Sequence, residues 1–154
     1  ERLVAWLGMI LGLVTVVPTQ EICFARYNSA PGVACLRVEV VDTAQEKTKG
    51  LSGKKFMPQD WGMWFVFSST GRSASGGDQP QKLAFWMKEM QFGLDFIWLN
   101  GKQVVEVTQN VAKPKNKEAE REIISPSVPA DGVVEVNAGW VEKKGIAVGD
   151  FLVY

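Results

Sequence analysis

The stretch LDFIWLNGKQVVEVTQNV, residues 94–111, decides the fold class. Runs rich in β-branched and aromatic residues lie on both sides of Asn100 and Gly101. Asn-Gly between two such runs is a strong hairpin signal, because both residues adopt a positive φ at low cost. The stretch therefore predicts two antiparallel strands joined by a tight turn.

Further short strands are predicted on either side of this hairpin. CLRVEVV, residues 35–41, alternates apolar residues with Arg37 and Glu39, which is typical of a half-buried strand. GMWFVF, residues 62–67, is apolar on both faces and predicts a buried strand. The same composition predicts strands at LAFWMK (83–88), GVVEVNAG (132–139) and GDFLVY (149–154).

Two short helices and one long loop interrupt this pattern. Thr43 and Glu46 form a capping-box sequence before Gly50, which predicts a helix over residues 44–49. WVEKKG near the C-terminus predicts a second helical turn, and the Gly- and Ser-rich residues 68–81 predict a flexible loop. Without a β-α-β rhythm, the pattern predicts a mainly β protein of six or seven mostly antiparallel strands, arranged as one small β-sandwich or barrel.

The N-terminal segment differs from the rest of the chain. LVAWLGMILGLVTVV, residues 3–17, carries no charge and ends at Pro18. As a helix it spans about 22 Å, which is shorter than the roughly 30 Å of a bilayer core. We expect residues 1–25 to be an uncleaved membrane anchor or a cleaved signal peptide, with a buried core helix as a third alternative. Residues 26–154 are then a single β domain that folds without the anchor.

Composition excludes several classes of function. The 17 basic and 17 acidic side chains of the 154 residues balance, which gives no attraction for nucleic acid. The absence of His excludes Ser-His triads and most zinc sites, and we expect no metal or other cofactor. The two cysteines, Cys23 and Cys35, either form one disulfide in an oxidising compartment or stay unpaired.

Several segments together resemble a known family. In order they are TKGLSGKK, GMWFVF, FWMKEM, LDFIWLNGKQVV, VVEVNAG and GIAVGD. This ordered set resembles domain-of-unknown-function family 192, over about residues 36–154. The resemblance implies a compact, mainly β domain of jelly-roll or barrel type, exported behind a signal or anchor, with no established activity. This chain has Glu89 and Met90 where the family commonly has Asn-Thr, and Lys54 where it commonly has Arg.

The candidate ligand-binding residues are the aromatic Trp86 and four charged residues, Lys54, Lys88, Asp95 and Glu135. Lys88 shares a strand face with Trp86 and is expected to lie beside its ring. Asp95 lies in an apolar strand, and a buried carboxylate needs a partner. That partner is Lys88, Lys54 or a backbone N–H, with a Lys88–Asp95 ion pair as the favoured alternative. Glu135 either faces water, which we expect, or takes a specific partner.

These residues lead to three hypotheses about function, all for an extracytoplasmic protein that is membrane-anchored or secreted. The first is a non-enzymatic module of the cell envelope that binds a small molecule or an envelope partner. The second is an envelope carbohydrate hydrolase that uses Asp95 and Glu135 as paired carboxylates. The third is a purely structural accessory domain. The sequence leaves the oligomeric state open.

Overall fold

The computed structural model describes residues 18–26, 34–67 and 82–154. Within them, seven strands form a closed barrel in the order β1-β2-β3-β6-β4-β5-β7. The strands are β1 (Thr19–Ala25), β2 (Ala34–Val41), β3 (Trp61–Val66), β4 (Leu94–Asn100), β5 (Gln103–Val111), β6 (Gly132–Asn137) and β7 (Phe151–Val153). The mainly β prediction is confirmed, in its barrel form. The N-terminal helix and the loop at residues 68–81 lie outside the described residues.

Local sequence signals correctly predicted two helices and the hairpin. Helix α1 (Ala44–Lys49) begins with the reciprocal Thr43–Glu46 capping box, and helix α2 (Trp140–Lys144) ends at Gly145 in the left-handed conformation. At the hairpin, Asn100 of β4 pairs with Gln103 of β5, and Gly101 has a φ of 59°. One further turn of 3-10 helix spans Ala119–Arg121.

One pair of strands departs from the antiparallel prediction. Strands β2 and β3 are parallel, with Val38 opposite Gly62. Parallel neighbours need a long crossover connection, and residues 42–60, which contain α1, supply it. The expectation of mostly antiparallel strands is confirmed, but the described residues also contain one β-α-β unit, β2-α1-β3, which the sequence did not indicate. Strand pairing between distant segments is not visible in the local periodicity on which that expectation rested.

The strand predicted at residues 83–88 is also wrong. Only Phe85 forms a bridge, donating to and accepting from the backbone of Ile124 at 2.9 and 2.8 Å. A turn follows, in which Met90 N–H donates to the Met87 carbonyl and Glu89 has a φ of 57°. The segment is apolar because Met87, Met90 and their neighbours cover the barrel wall, and not because they pair within it.

Strand β1 lies within residues 1–25, which the sequence analysis assigned to a signal or anchor. It pairs with β2 on one side and with β7 on the other, so it closes the barrel. Ile22 and Phe24 are completely buried. The barrel therefore includes residues before Arg26, namely Thr19–Ala25. None of the helices in residues 18–26, 34–67 and 82–154 is long and apolar enough to cross a membrane.

A disulfide joins the first two strands. Cys23 of β1 lies directly opposite Cys35 of β2, and the two sulfurs are bonded. The alternative of two unpaired cysteines is therefore excluded. A crosslink that closes a loop of this length, 12 residues, stabilises a fold by about 3 kcal/mol through the unfolded chain.

The wall formed by β3, β6 and β4 has an apolar core on each face. Alternate residues of β6, Val134 and Val136, lie in the interior core together with Trp140 of α2, which closes one end of the barrel. Val133 faces the other way, into a second core outside the wall. We call the residues that cover that outer face the covering layer: Leu51, Met57, Leu83, Phe85, Met87 and Met90.

The position of β1 gives a first prediction. A chain that begins at Arg26 lacks β1, Cys23 and the two buried side chains of Ile22 and Phe24, so it is expected to lose its cooperative thermal transition. The control is a chain that begins at Pro18, which keeps β1 and is expected to melt cooperatively. Circular dichroism melts compare the two. A cooperative melt of the shorter chain at the temperature of the control would contradict the placement of β1 in the barrel.

Candidate functional site

The candidate site is built around Glu135 on the outer face of β6. Its neighbours across the sheet are Met63 of β3 and Phe96 of β4, both apolar and buried. The side chain of Glu135 is 4% exposed. The expectation that Glu135 faces water is wrong, because the covering layer buries the face of the sheet on which it lies.

No group of the described residues compensates for this burial. Desolvation raises the pKa of Glu135 to about 8, and no hydrogen bond or cation among the described residues opposes it. At pH 7 the carboxyl is therefore mostly protonated. A protonated carboxyl has one O–H to donate and a carbonyl oxygen that can accept. No hydrogen bond from the described residues uses these groups of Glu135.

A cavity of about 360 Å³ lies between the barrel wall and the covering layer, and Glu135 forms part of its lining. Apolar and aromatic side chains make up most of the rest. They are Leu51, Phe65, Phe67, Ala84, Phe85, Trp86, Met90, Leu94 and Ile123. The hydroxyls of Thr48 and Ser52 also line it, but each already donates to a backbone carbonyl at 2.9 Å.

Phe85 holds the aromatic part of the lining together. Its ring packs edge-on against Phe65 of the wall, with centroids 5.0 Å apart, and against Phe67 at 6.1 Å. It also contacts Trp98 on the outer face of β4 at 5.6 Å. The backbone bridge to Ile124 fixes the position of Phe85, so the aromatic wall is preformed.

Two lysines stand where α1 meets the cavity. Lys47 and Lys49 lie in the last turn of α1, and both line the cavity. The Lys47 ammonium lies 4.5 Å from the centroid of the Phe67 ring. Neither lysine forms an ion pair with any residue in the described part of the chain. Their charges are therefore available to a molecule in the cavity.

Of the five predicted ligand-binding residues, the structure brings Trp86 and Glu135 together in this cavity. Lys88 lies beside Trp86 as expected, with its ammonium 5.9 Å from the ring centroid, but it does not line the cavity. Lys54 lies elsewhere, in an ion pair with Glu39 at 2.6 Å. The sequence analysis missed the lysines of α1 and the phenylalanines, which carry no local signal of a shared cavity.

Asp95 has a different role from Glu135. It is completely buried, and its carboxylate accepts hydrogen bonds from the backbone N–H groups of Asn110 at 2.7 Å and Val141 at 3.0 Å. The predicted ion pair with Lys88 is wrong, and the alternative of backbone N–H donors is confirmed. Asp95 thus joins β4 to β5 and to the first turn of α2.

Asp95 and Glu135 lie on opposite sides of the barrel wall. Asp95 is opposite Val136, whose side chain points into the barrel, whereas Glu135 is opposite Phe96 on the outer face. Directly opposed residues of an antiparallel pair share a face. Asp95 and Glu135 therefore do not share a cleft. Among the described residues, no group of three or more acidic or cysteine side chains could hold a metal ion.

Comparison with known proteins agrees with this fold. Residues 26–154 match the family DUF192, described as an uncharacterized ACR. The chain belongs to this family. The resemblance seen in the sequence is therefore confirmed, and with it a family whose function is unknown. No curated protein matches the chain.

Two solved structures are similar to this member of DUF192. One, from Sinorhizobium meliloti 1021 and assigned provisionally as a transcription regulator, has a TM-score of 0.71 and 23% identity, over 89% of this chain and 94% of that one. The other is a protein of unknown function from Novosphingobium aromaticivorans DSM 12444, with a TM-score of 0.71 and 20% identity, over 94% of this chain and 91% of that one. At these identities the similarity establishes the fold alone.

The partners of Asp95 give the second prediction. Asp95→Ala leaves the buried N–H of Val141 and the part-buried N–H of Asn110 without acceptors, so it is expected to lower the free energy of unfolding by about 3 kcal/mol. The matched variant Lys88→Ala removes an exposed charge and is expected to change it by less than about 0.5 kcal/mol. Urea melts of both variants and of the double variant measure these values. A coupling above about 1 kcal/mol between the two sites would contradict the observed bonding.

Proposed function

We propose that this protein is a non-enzymatic binding module that holds a small organic molecule in the cavity over Glu135. The observation that carries the proposal is a buried carboxyl without a partner among the described residues, set into an aromatic wall. Burying a polar group without a hydrogen bond lowers stability. A ligand that supplies the missing bond recovers that free energy on binding.

The shape and composition of the cavity support this proposal. Sites for small molecules are concave and mostly apolar, with volumes of roughly 300–1,000 Å³ and a few polar groups that fix orientation. The cavity here has about 360 Å³, aromatic walls and Glu135 as its polar group without a described partner. An accessory domain with a purely structural role has no need of such a cavity.

The geometry does not favour a glycosidase. Paired-carboxylate hydrolysis needs two carboxyl groups on either side of one bond. Asp95 lies on the other side of the barrel wall, and no second carboxylate lines the cavity among the described residues. A protonated carboxyl can act as a general acid, but without a second carboxylate beside it the paired mechanism lacks its nucleophile or base.

An extracytoplasmic location, anchored or secreted, belongs to the same proposal. The disulfide between Cys23 and Cys35 supports it, because disulfides persist in oxidising compartments. The apolar residues 3–17 supply a candidate anchor or signal. Because β1 belongs to the barrel, cleavage after Ala25 would remove Cys23 and open the fold. We therefore propose that residues from Thr19 onward are retained.

A ligand screen tests the proposed function. Envelope sugars, short peptides and small organic acids, amines and alcohols are added to the full chain in mild detergent, and the melting temperature is measured. A compound that binds the native state raises this temperature by mass action. We expect at least one class to do so, with an affinity that falls about tenfold or more in Trp86→Ala.

The matched control is Trp61→Ala. Trp61 is also half-buried and carries a cation, Arg37, at 5.9 Å from its ring, but it does not line the cavity. Its replacement is expected to leave ligand affinity unchanged. If no compound shifts the melting temperature, or if both tryptophan variants weaken binding equally, the cavity is not a binding site and the accessory-domain hypothesis replaces this one.

A further inference from the structure

The lining of the cavity also indicates which class of ligand it binds, and this inference rests on the proposed function. We propose that the cavity takes an amphipathic organic acid. Its anionic group contacts Lys47 and Lys49 at the mouth of the cavity, its body packs on the aromatic wall, and a hydroxyl or carbonyl group at its inner end hydrogen-bonds with Glu135.

The orientation follows from the exposure of the lining residues. Glu135 and Phe65 are 4% and 1% exposed, so they form the floor of the cavity. Trp86 and Ile123 are 47% and 61% exposed and stand at the mouth, and Lys49 is exposed as well. A ligand therefore enters past the lysines and ends at the carboxyl.

Charge favours an acid over an amine. Lys47, Lys49 and Glu135 are the ionisable side chains that line the cavity among the described residues. At pH 7 Glu135 is mostly protonated, because its burial raises the pKa to about 8. The described part of the lining thus presents two lysine side chains and little negative charge. It therefore attracts an anion and repels an ammonium group. An isolated carboxylate would have the opposite preference.

The inner end of the ligand must be polar. An apolar tail over Glu135 would leave the O–H and the carbonyl oxygen of the carboxyl without partners, and that arrangement costs free energy. A hydroxyl group can both accept from the protonated carboxyl and donate to it. Phe65, Phe85 and Trp86 present aromatic surface along the path between the two ends, which suits a flat, apolar body.

The binding should weaken at alkaline pH. The strand neighbours of Glu135, Met63 and Phe96, do not titrate, and neither does Phe85 of the covering layer. Lys47 and Lys49 of α1 are the charged side chains that line the same cavity among the described residues. Between pH 7 and 9 the change in the cavity is therefore the ionisation of Glu135, which places a negative charge against the inner end of an anionic ligand.

Four small probes of nearly equal size test the ligand class: 4-hydroxyphenylacetate, phenylacetate, tyramine and tyrosol. The first has both proposed ends, the second lacks the inner hydroxyl, and the last two replace the acid with an amine or an alcohol. Titration calorimetry at pH 7 is expected to give 4-hydroxyphenylacetate at least tenfold higher affinity than tyramine and tyrosol, and about fivefold higher than phenylacetate. Its affinity is expected to fall several-fold from pH 7 to 9, and Glu135→Gln is expected to abolish that fall.

Variants of the mouth provide the control. Replacing Lys47 and Lys49 together by Gln is expected to reduce the affinity for 4-hydroxyphenylacetate to that for tyrosol, and to leave tyrosol unaffected. Lys55→Gln removes an equal charge from an exposed residue that does not line the cavity and is expected to change neither. If tyramine or tyrosol binds as tightly as the acid, the ligand class is wrong while the binding function stands. If none of the four binds, the ligand class is again wrong, and the wider screen alone decides the function.

Discussion

The outer face of strands β3, β6 and β4 is as apolar as the face that lines the barrel, and it has to be covered. A barrel of seven short strands protects only its interior. The outer side chains of Met63, Phe65, Phe96 and Trp98 would otherwise lie in water. The chain covers them with the crossover that carries α1 and with the segment around Phe85, which runs across the wall without joining it as a strand.

This cover creates both the cavity and the unusual carboxyl. The layer closes over β6 but leaves about 360 Å³ between α1, Phe85 and the wall. Glu135 lies at the floor of that space. Asp95 is also a buried carboxyl group, and it lies near the same pair of strands, β4 and β6. Asp95 accepts hydrogen bonds from two backbone N–H groups and so joins β4, β5 and α2. At Glu135, by contrast, desolvation by burial determines the pKa. The first is a structural group, and the second is the basis of the binding function that we propose.

The sequence predicted what local chemistry determines. The hairpin signal at Asn100 and Gly101, the capping box at Thr43 and the alternation in β2 act within a few residues, and the hairpin, the helix and the strand that they predict are confirmed, with the turn itself at Gly101 and Lys102. Strand β1 was missed because Ile22 and Phe24 follow an apolar run typical of a membrane segment. The parallel β2–β3 pair was missed because it depends on where the crossover connection places β3 in the sheet.

The candidate site could be predicted only in part from the sequence, for the same reason. Glu135 lies between two valines in β6. This alternation fits a strand with one solvent-exposed face as well as it fits a strand that is buried on both faces. The covering layer decides between these cases, and it comes from residues about 45 to 85 positions earlier in the chain. Trp86 and Glu135 were identified as unusual residues, but the lysines of α1 resemble any charged helix end. Their place beside an aromatic cavity is a tertiary property.

Glu135 is buried in the folded protein and, because desolvation raises its pKa, mostly protonated at pH 7. Its pKa rises from 4.5 to about 8 on folding, so its contribution to stability is full below pH 4.5 and is lost as the pH rises to about 8. The most direct test is the free energy of unfolding of the wild type and of Glu135→Gln, measured by urea melts from pH 4 to 9. We predict that the wild type loses stability relative to the variant across this interval, by up to about 1.4 kcal/mol per pH unit, with no further change above pH 8. Parallel curves for the two proteins would show that Glu135 titrates as an exposed carboxyl and would contradict the account.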